Sequence, residues 1–141
     1  MIQKDGQILL DGKIAIYPSL TEAAFLSSDL GKVAELRLSN AEFHRYHAVN
    51  VLENGMDCFL SVTFFEETLT SASLSPNWPG SPQSWAEWSL ESELDKKEKN
   101  DALLGQTLGP PPYAFSWGKV ESSYDQKSGG SSIFVSYFGS R

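Results

Sequence analysis

Two histidines three residues apart, one thiol and two adjacent carboxylates are the side chains in this sequence whose types could do chemistry. His44 and His47 stand in "HRYH", Cys58 opens "DCFLSVTFF", and Glu66 and Glu67 follow it directly. A transition-metal site needs imidazole, thiolate or carboxylate ligands that converge on one point. The run "FHRYHAVNVL" (43–52) reads as a strand, and side chains three apart on a strand point to opposite faces. The two histidines are therefore expected not to share an ion. The chain has no third histidine and no second cysteine, so neither a metal nor a cofactor is expected.

Cys58 beside an imidazole would be a thiol nucleophile. Leu60, Val62 and Phe64 share its alternation face, which predicts a core thiol instead. Glu66 and Glu67 fall where a tight turn is expected. Carboxylates at a turn tip are solvated and do not acquire the split pKa values of a general acid and base. The glycine-rich "SGGSS" (128–132) lacks the lysine and the strand–loop–helix setting of a phosphate loop. No residue is assigned a catalytic role. Among the tryptophans, Trp85, Trp88 and Trp117 read as core. Trp78, between prolines in "PNWPGSPQ" (76–83), reads as an exposed anchor for a partner.

The elements that must position these groups follow from periodicity and turn chemistry. "QILLDGKIAIYP" (7–18) is a hairpin turning on Asp11-Gly12. "SLTEAAFLSSDLG" (19–31) is a short helix, with Ser19 and Glu22 at capping-box spacing and Gly31 as its stop. "AELRL" (34–38), 43–52, 57–65 and "TLTSASLS" (68–75) are strands of an antiparallel meander. A long helix opens at Ser84, with Glu87 completing a second capping box, and ends near Gly109 before "PPP" (110–112). Two β-rich runs in 113–138 flank "DQKSGG" as a C-terminal hairpin. The expected fold class is α+β, as one domain over 1–141. An antiparallel sheet of five to seven strands, the meander plus the hairpin, carries the long helix on one face.

Helical projection of 84–108 places Ala86, Leu90, Leu94, Lys97, Asp101, Leu104 and Leu108 on one stripe. Trp85, Trp88, Ala102 and Leu103 form a second arc opposite. Lys97 and Asp101 interrupt the first stripe, which leaves three readings. Both charges reach solvent as an i,i+4 pair, Asp101 turns inward to the C-terminal hairpin, or Asp101 is an acid in a pocket between helix and sheet. Glu93 with Lys97 and Asp95 with Lys99 have the spacing of ordinary surface pairs.

Eighteen acids against eleven Lys and Arg give a net charge of −7. Such a chain is repelled by nucleic acid and by anionic membrane surfaces, and attracts a basic protein. One cysteine excludes an internal disulfide and predicts a reducing compartment, the cytoplasm. No apolar run has the length of a signal peptide or a bilayer span.

The stretches "SWAEWS…E…K…NDALL…LGPPPYAFSWGKVESSYDQKSGGSSIFVSYF" and "GKIAIYPSLTEAAFLSSDLGKVAEL" resemble small uncharacterised bacterial proteins of similar length. In size and acidity these are similar to immunity proteins of bacterial toxin systems. The resemblance implies a bacterial origin and a non-enzymatic α+β domain. The function expected is a protein-binding module of immunity type, contacting a basic partner through Glu66, Glu67, Trp78, Glu91 and Asp95. The alternative is a small-molecule or enzymatic domain with a pocket near Lys97 and Asp101.

Overall fold

The computed structural model describes residues 1–40, 42–51, 55–78, 88–125 and 130–138. The chain opens with a hairpin of β1 (Ile8–Leu10) and β2 (Lys13–Ile16). Asp11 and Gly12 both take positive φ, 53° and 73°, as a two-residue turn of this hand requires. Two short helices follow, α1 (Glu22–Ser27) and α2 (Asp29–Val33). The meander is β3 (Glu35–Asn40), β4 (Phe43–Val51), β5 (Asp57–Phe65) and β6 (Thr68–Pro76). Then come α3 (Leu90–Leu108), β7 (Tyr113–Phe115), β8 (Gly118–Asp125) and β9 (Gly130–Tyr137).

The fold is α+β, as expected. β3 to β9 form one antiparallel sheet of seven strands in the order β3-β4-β5-β6-β9-β8-β7. The last strand therefore inserts beside β6, and β7, which the sequence did not separate from β8, lies at the edge. Cys58, Leu60, Val62 and Phe64 line the buried face of β5, joined by Leu69, Ala72 and Leu74 of β6 and Ile133, Val135 and Tyr137 of β9. The N-terminal hairpin, α1, α2 and α3 cover this face. Phe25 of α1 packs against the rings of Tyr46 and Phe64, which also touch each other, and the Tyr137 hydroxyl donates to the Gly6 carbonyl at 2.9 Å. Burial pushes the Cys58 thiol up to about 12, so it stays protonated in the core.

Several local expectations are corrected. The predicted N-terminal helix is broken at Ser28, whose hydroxyl accepts from Gly31 N–H and donates to the Phe25 carbonyl. Thr21, not Ser19, caps α1, accepting from Ala24 N–H at 3.1 Å. Gly31 lies inside α2 rather than ending it. A side chain there would run into the Phe25 carbonyl, so glycine is what lets α2 fold back on α1. The long helix starts at Leu90 with Ser89 as its cap, bonded to Ser92 N–H at 3.1 Å. The Ser84–Glu87 box, Trp85 and Ala86 lie outside the described residues. Trp88 precedes the helix and is half-buried. The helix does end at Gly109, with φ 80°.

The buried stripe of α3 is also displaced. Glu93, Asn100, Leu104 and Leu108 face the sheet, whereas Leu90 and Leu94 are 49% and 44% exposed. A carboxylate is tolerated there because β9 supplies its partners. Ser131 N–H donates to Glu93 Oε1 at 3.0 Å, and Ser131 Oγ donates to the Glu93 carbonyl at 2.5 Å. Lys96, not Lys97, neutralises Glu93 at 3.1 Å. A buried charge is stable only when paired and hydrogen-bonded in this way.

Candidate functional site

Among the described residues, the helices do not cover the opposite face of the sheet. It carries Phe43, Val49, Phe59 and Phe134 as exposed apolar side chains. Each belongs to the outward set of its strand, Phe43 and Val49 on β4, Phe59 on β5 and Phe134 on β9. In "DCFLSVTFF" the second set is Asp57, Phe59, Ser61, Thr63 and Phe65. Aromatic residues on the otherwise polar face of β5 were the signal available in the sequence, and these residues were missed as site candidates.

At one end of this face the β5–β6 turn meets the β3–β4 turn. Glu66 and Glu67 occupy the two central positions of a two-residue loop, with φ 47° and 68°. Positive φ at both positions suits the hairpin twist, but glycine or asparagine normally occupies them. A side chain in this region costs about 1–2 kcal/mol per residue. The surroundings hold the turn in place. Glu66 N–H donates to the Glu42 carbonyl at 3.0 Å, and Glu22 N–H donates to the Glu67 carbonyl at 3.0 Å. A bridge between Thr21 and Thr68 ties the start of α1 to the same hairpin.

Glu42, Glu66 and Glu67 are all exposed. Phe43 and Phe65 are paired directly across β4 and β5, with ring centroids 4.6 Å apart. Phe43 is 44% exposed. The result is an apolar anchor at the foot of two turns that carry three carboxylates. Replacing Glu66-Glu67 by Asn-Gly should raise the unfolding free energy by about 1–2 kcal/mol by removing the side-chain cost. Denaturant unfolding measures this, and an unchanged or lower midpoint would show that the turn is unstrained.

Beneath the corner, on the buried side, Glu22 is 8% exposed. Its Oε2 accepts from the Tyr46 hydroxyl and lies 2.7 Å from His44 Nδ1. Burial, then the bond to Glu22 and its charge, pushes Tyr46 up to about 12. This cluster clamps the start of α1 onto β4, so Glu22 serves position rather than helix capping. His47 lies on the other face of β4, edge-on to Phe59 at 5.0 Å. Burial and the nearby Arg37 and Arg45 guanidinium groups lower its pKa, which favours neutral imidazole. The histidines thus point apart, as the strand reading requires. Among the described residues no group of three or more His, Cys, Asp or Glu is placed to hold a metal ion, and no helix is long and apolar enough to cross a membrane.

The remaining candidates lie elsewhere. Trp78 is half-buried, and its indole donates to Asn100 Oδ1 at 2.8 Å, which ties the end of β6 to α3. Glu91 and Asp95 are exposed on the outer side of α3, beside a depression of about 660 Å³ that Leu90 and Leu94 also line. Asp95 pairs with Lys99 at 3.0 Å, as expected. Lys97 and Asp101 pair with each other at 3.0 Å and are partly exposed. Asp101 therefore does not turn inward to the C-terminal hairpin. Glu93 has that role, two turns earlier.

Register separates the two acidic regions. Extending the Leu74–Ile133 pairing places Ser131, and with it Glu93, level with Pro76. Pro76 and Thr68 are the two ends of β6, eight residue steps or about 27 Å of strand apart. The structure does not bring Glu66 and Glu67 together with Glu91 and Asp95. No protein-family model matches the chain, and no curated protein or solved structure is significantly similar to it.

Proposed function

We propose that this protein is a non-enzymatic protein-binding module that receives a basic partner at the corner formed by Phe43, Phe65, Glu42, Glu66 and Glu67. The observation that carries this reading is the exposed aromatic pair at the foot of a turn of two positive-φ glutamates. An apolar anchor with a charged rim is the usual anatomy of a binding hot spot. Backbone strain held in place by neighbouring elements is characteristic of functional positions. The net charge of −7 supplies long-range attraction to a cationic surface. Glu91 and Asp95, about 27 Å away, contribute to that field without touching the same small patch. Neutralisation of a toxin by occlusion, in the manner of an immunity protein acting in the cytoplasm, is one form this activity takes.

The experiment starts from a partner recovered from the source cell and purified. Phe43→Ala should weaken its binding at least tenfold, the size of a modest hot spot. Glu66→Lys with Glu67→Lys should slow association and flatten its salt dependence, because exposed charges act mainly on the on-rate. Glu91→Lys with Asp95→Lys should have the smaller effect. A partner that binds all three variants like the parent would overturn the assignment of the corner.

A further inference from the structure

We propose that β3 is the edge through which this chain pairs with a second copy of itself, antiparallel about a two-fold axis at Leu36. Among the described residues β3 pairs with β4 alone and so ends the seven-stranded sheet. An open strand edge presents a row of unpaired N–H and C=O groups, which is a template for another strand. The contact runs along the side of the sheet and does not rest on the partner-binding reading of the corner.

The two edges of the sheet are built differently. β7, the other edge, has three residues and follows three prolines, and both features discourage pairing. β3 has six residues, and all six are exposed. Leu36 stands directly opposite the buried Tyr46 of β4, so it belongs to the core side of the sheet. It is nevertheless 53% exposed, because among the described residues no strand lies beyond it. Val33, which precedes the strand, and Leu38 within it are exposed as well. Leu36 of a second copy, placed across the axis, removes this apolar surface from water.

Charge identifies the occupant. Glu35 and Arg37 flank Leu36, and their charged groups lie 2.7 Å apart. Antiparallel pairing about Leu36 sets Glu35 of each copy against Arg37 of the other, so the edge is complementary to itself, as an isologous interface must be. The resident Glu35–Arg37 pair is well exposed at both side chains. Such a pair contributes little by itself, so sharing it across the axis sacrifices little and joins four charges in one network. Residues 29–49 hold three acids, Asp29, Glu35 and Glu42, and three bases, Lys32, Arg37 and Arg45. These cancel, and the net charge of −7 is carried by the rest of the chain. Two copies of an acidic protein therefore meet at this edge with little mutual repulsion. The β3–β4 ladder shifts at Arg37, a bulge that adds local twist. The axis lies one residue before it, so the central Leu36 pair precedes the irregularity.

Sedimentation velocity of the full chain between about 1 and 200 µM tests the proposal, since a contact this small is expected to be weak. The mass should rise with concentration toward twice the 15.6 kDa of one chain. Leu36→Lys, which sets two ammonium groups against each other on the axis, should weaken association at least tenfold. At a concentration where parent and variant are both monomeric their unfolding midpoints should agree, because position 36 is exposed, and this separates lost pairing from lost fold. Glu35→Arg and Arg37→Glu should each be monomeric alone, because each sets like charges across the axis. An equimolar mixture of those two variants should associate again, since every cross-axis pair is then of opposite sign. Both variants remain acidic and neither holds an internal pair at these positions, so recovery in the mixture reports the axis itself. A chain that stays monomeric over the whole range would overturn the proposal and leave the edge to an extended segment of another protein. Association that Leu36→Lys leaves unchanged, or a mixture that associates no better than its components, would overturn it equally.

Discussion

Replacing Phe25 with alanine is expected to lower the unfolding free energy by about 3–5 kcal/mol, the largest effect of any single truncation considered. That is the range for removing a fully buried aromatic ring from a packed core. Phe25 is completely buried, with Tyr46 and Phe64 at centroid distances of 5.3 and 5.4 Å. The loss reaches beyond the ring. α1 has six residues, far below the length at which a helix stands by itself in water. It is held by Phe25 from one side and by Glu22 at its first turn. Urea unfolding of the variant should show a lower midpoint with an unchanged slope. A loss below about 1 kcal/mol, the ordinary value for a point substitution, would mean that α1 contributes nothing to the cooperative core. Phe43→Ala serves as the internal control. Its ring is partly in solvent, so its stability cost should be a small fraction of that at Phe25 even though its expected effect on binding is the larger of the two.

Glu93→Ala is expected to cost about 3 kcal/mol. The substitution leaves the buried Ser131 N–H without an acceptor and Lys96 without its counter-charge, and breaking one side of a buried pair is among the expensive changes. Glu93→Gln should recover part of the loss, since an amide oxygen still accepts from Ser131 while the charge is gone. Asp101→Ala, on the same helix and also an acid in an ion pair, should change stability by no more than about 0.5 kcal/mol, as at other surface sites. Thermal or denaturant unfolding of the three variants in one buffer decides this. Equal losses at positions 93 and 101 would mean that the helix is seated on a different stripe from the one described.

What the sequence by itself determined is what short-range physics controls. β5 was legible to the residue (57–65), because alternation of Cys58, Leu60, Val62 and Phe64 is bounded by turn residues on both sides. The Asp11-Gly12 turn and the Gly109 helix end were legible because a positive φ is a property of one or two residues. The core position of the Cys58 thiol followed from the same alternation.

Tertiary structure decided the rest. Alternation marks a strand but does not name its neighbour, so the insertion of β9 beside β6 and the edge position of β7 emerged only when seven strands competed for pairing. Helical projection failed on α3 for a related reason. Its middle is polar nearly all round, so Leu90 and Leu94 and the stripe holding Glu93 and Asn100 were close alternatives. Ser131, 38 residues further along the chain, tipped the choice by offering a donor that no projection contains. Glu22 was read as a capping residue because its spacing from Ser19 is local. Its actual partners, Tyr46 and His44, arrive from 24 and 22 residues away. The aromatic–acidic corner arises in the same way, since Phe43 and Phe65 become neighbours only when β4 and β5 pair. Local propensities are set by a few adjacent residues. The burial of a polar group depends on which distant group satisfies it, and that is settled only when the whole chain has packed.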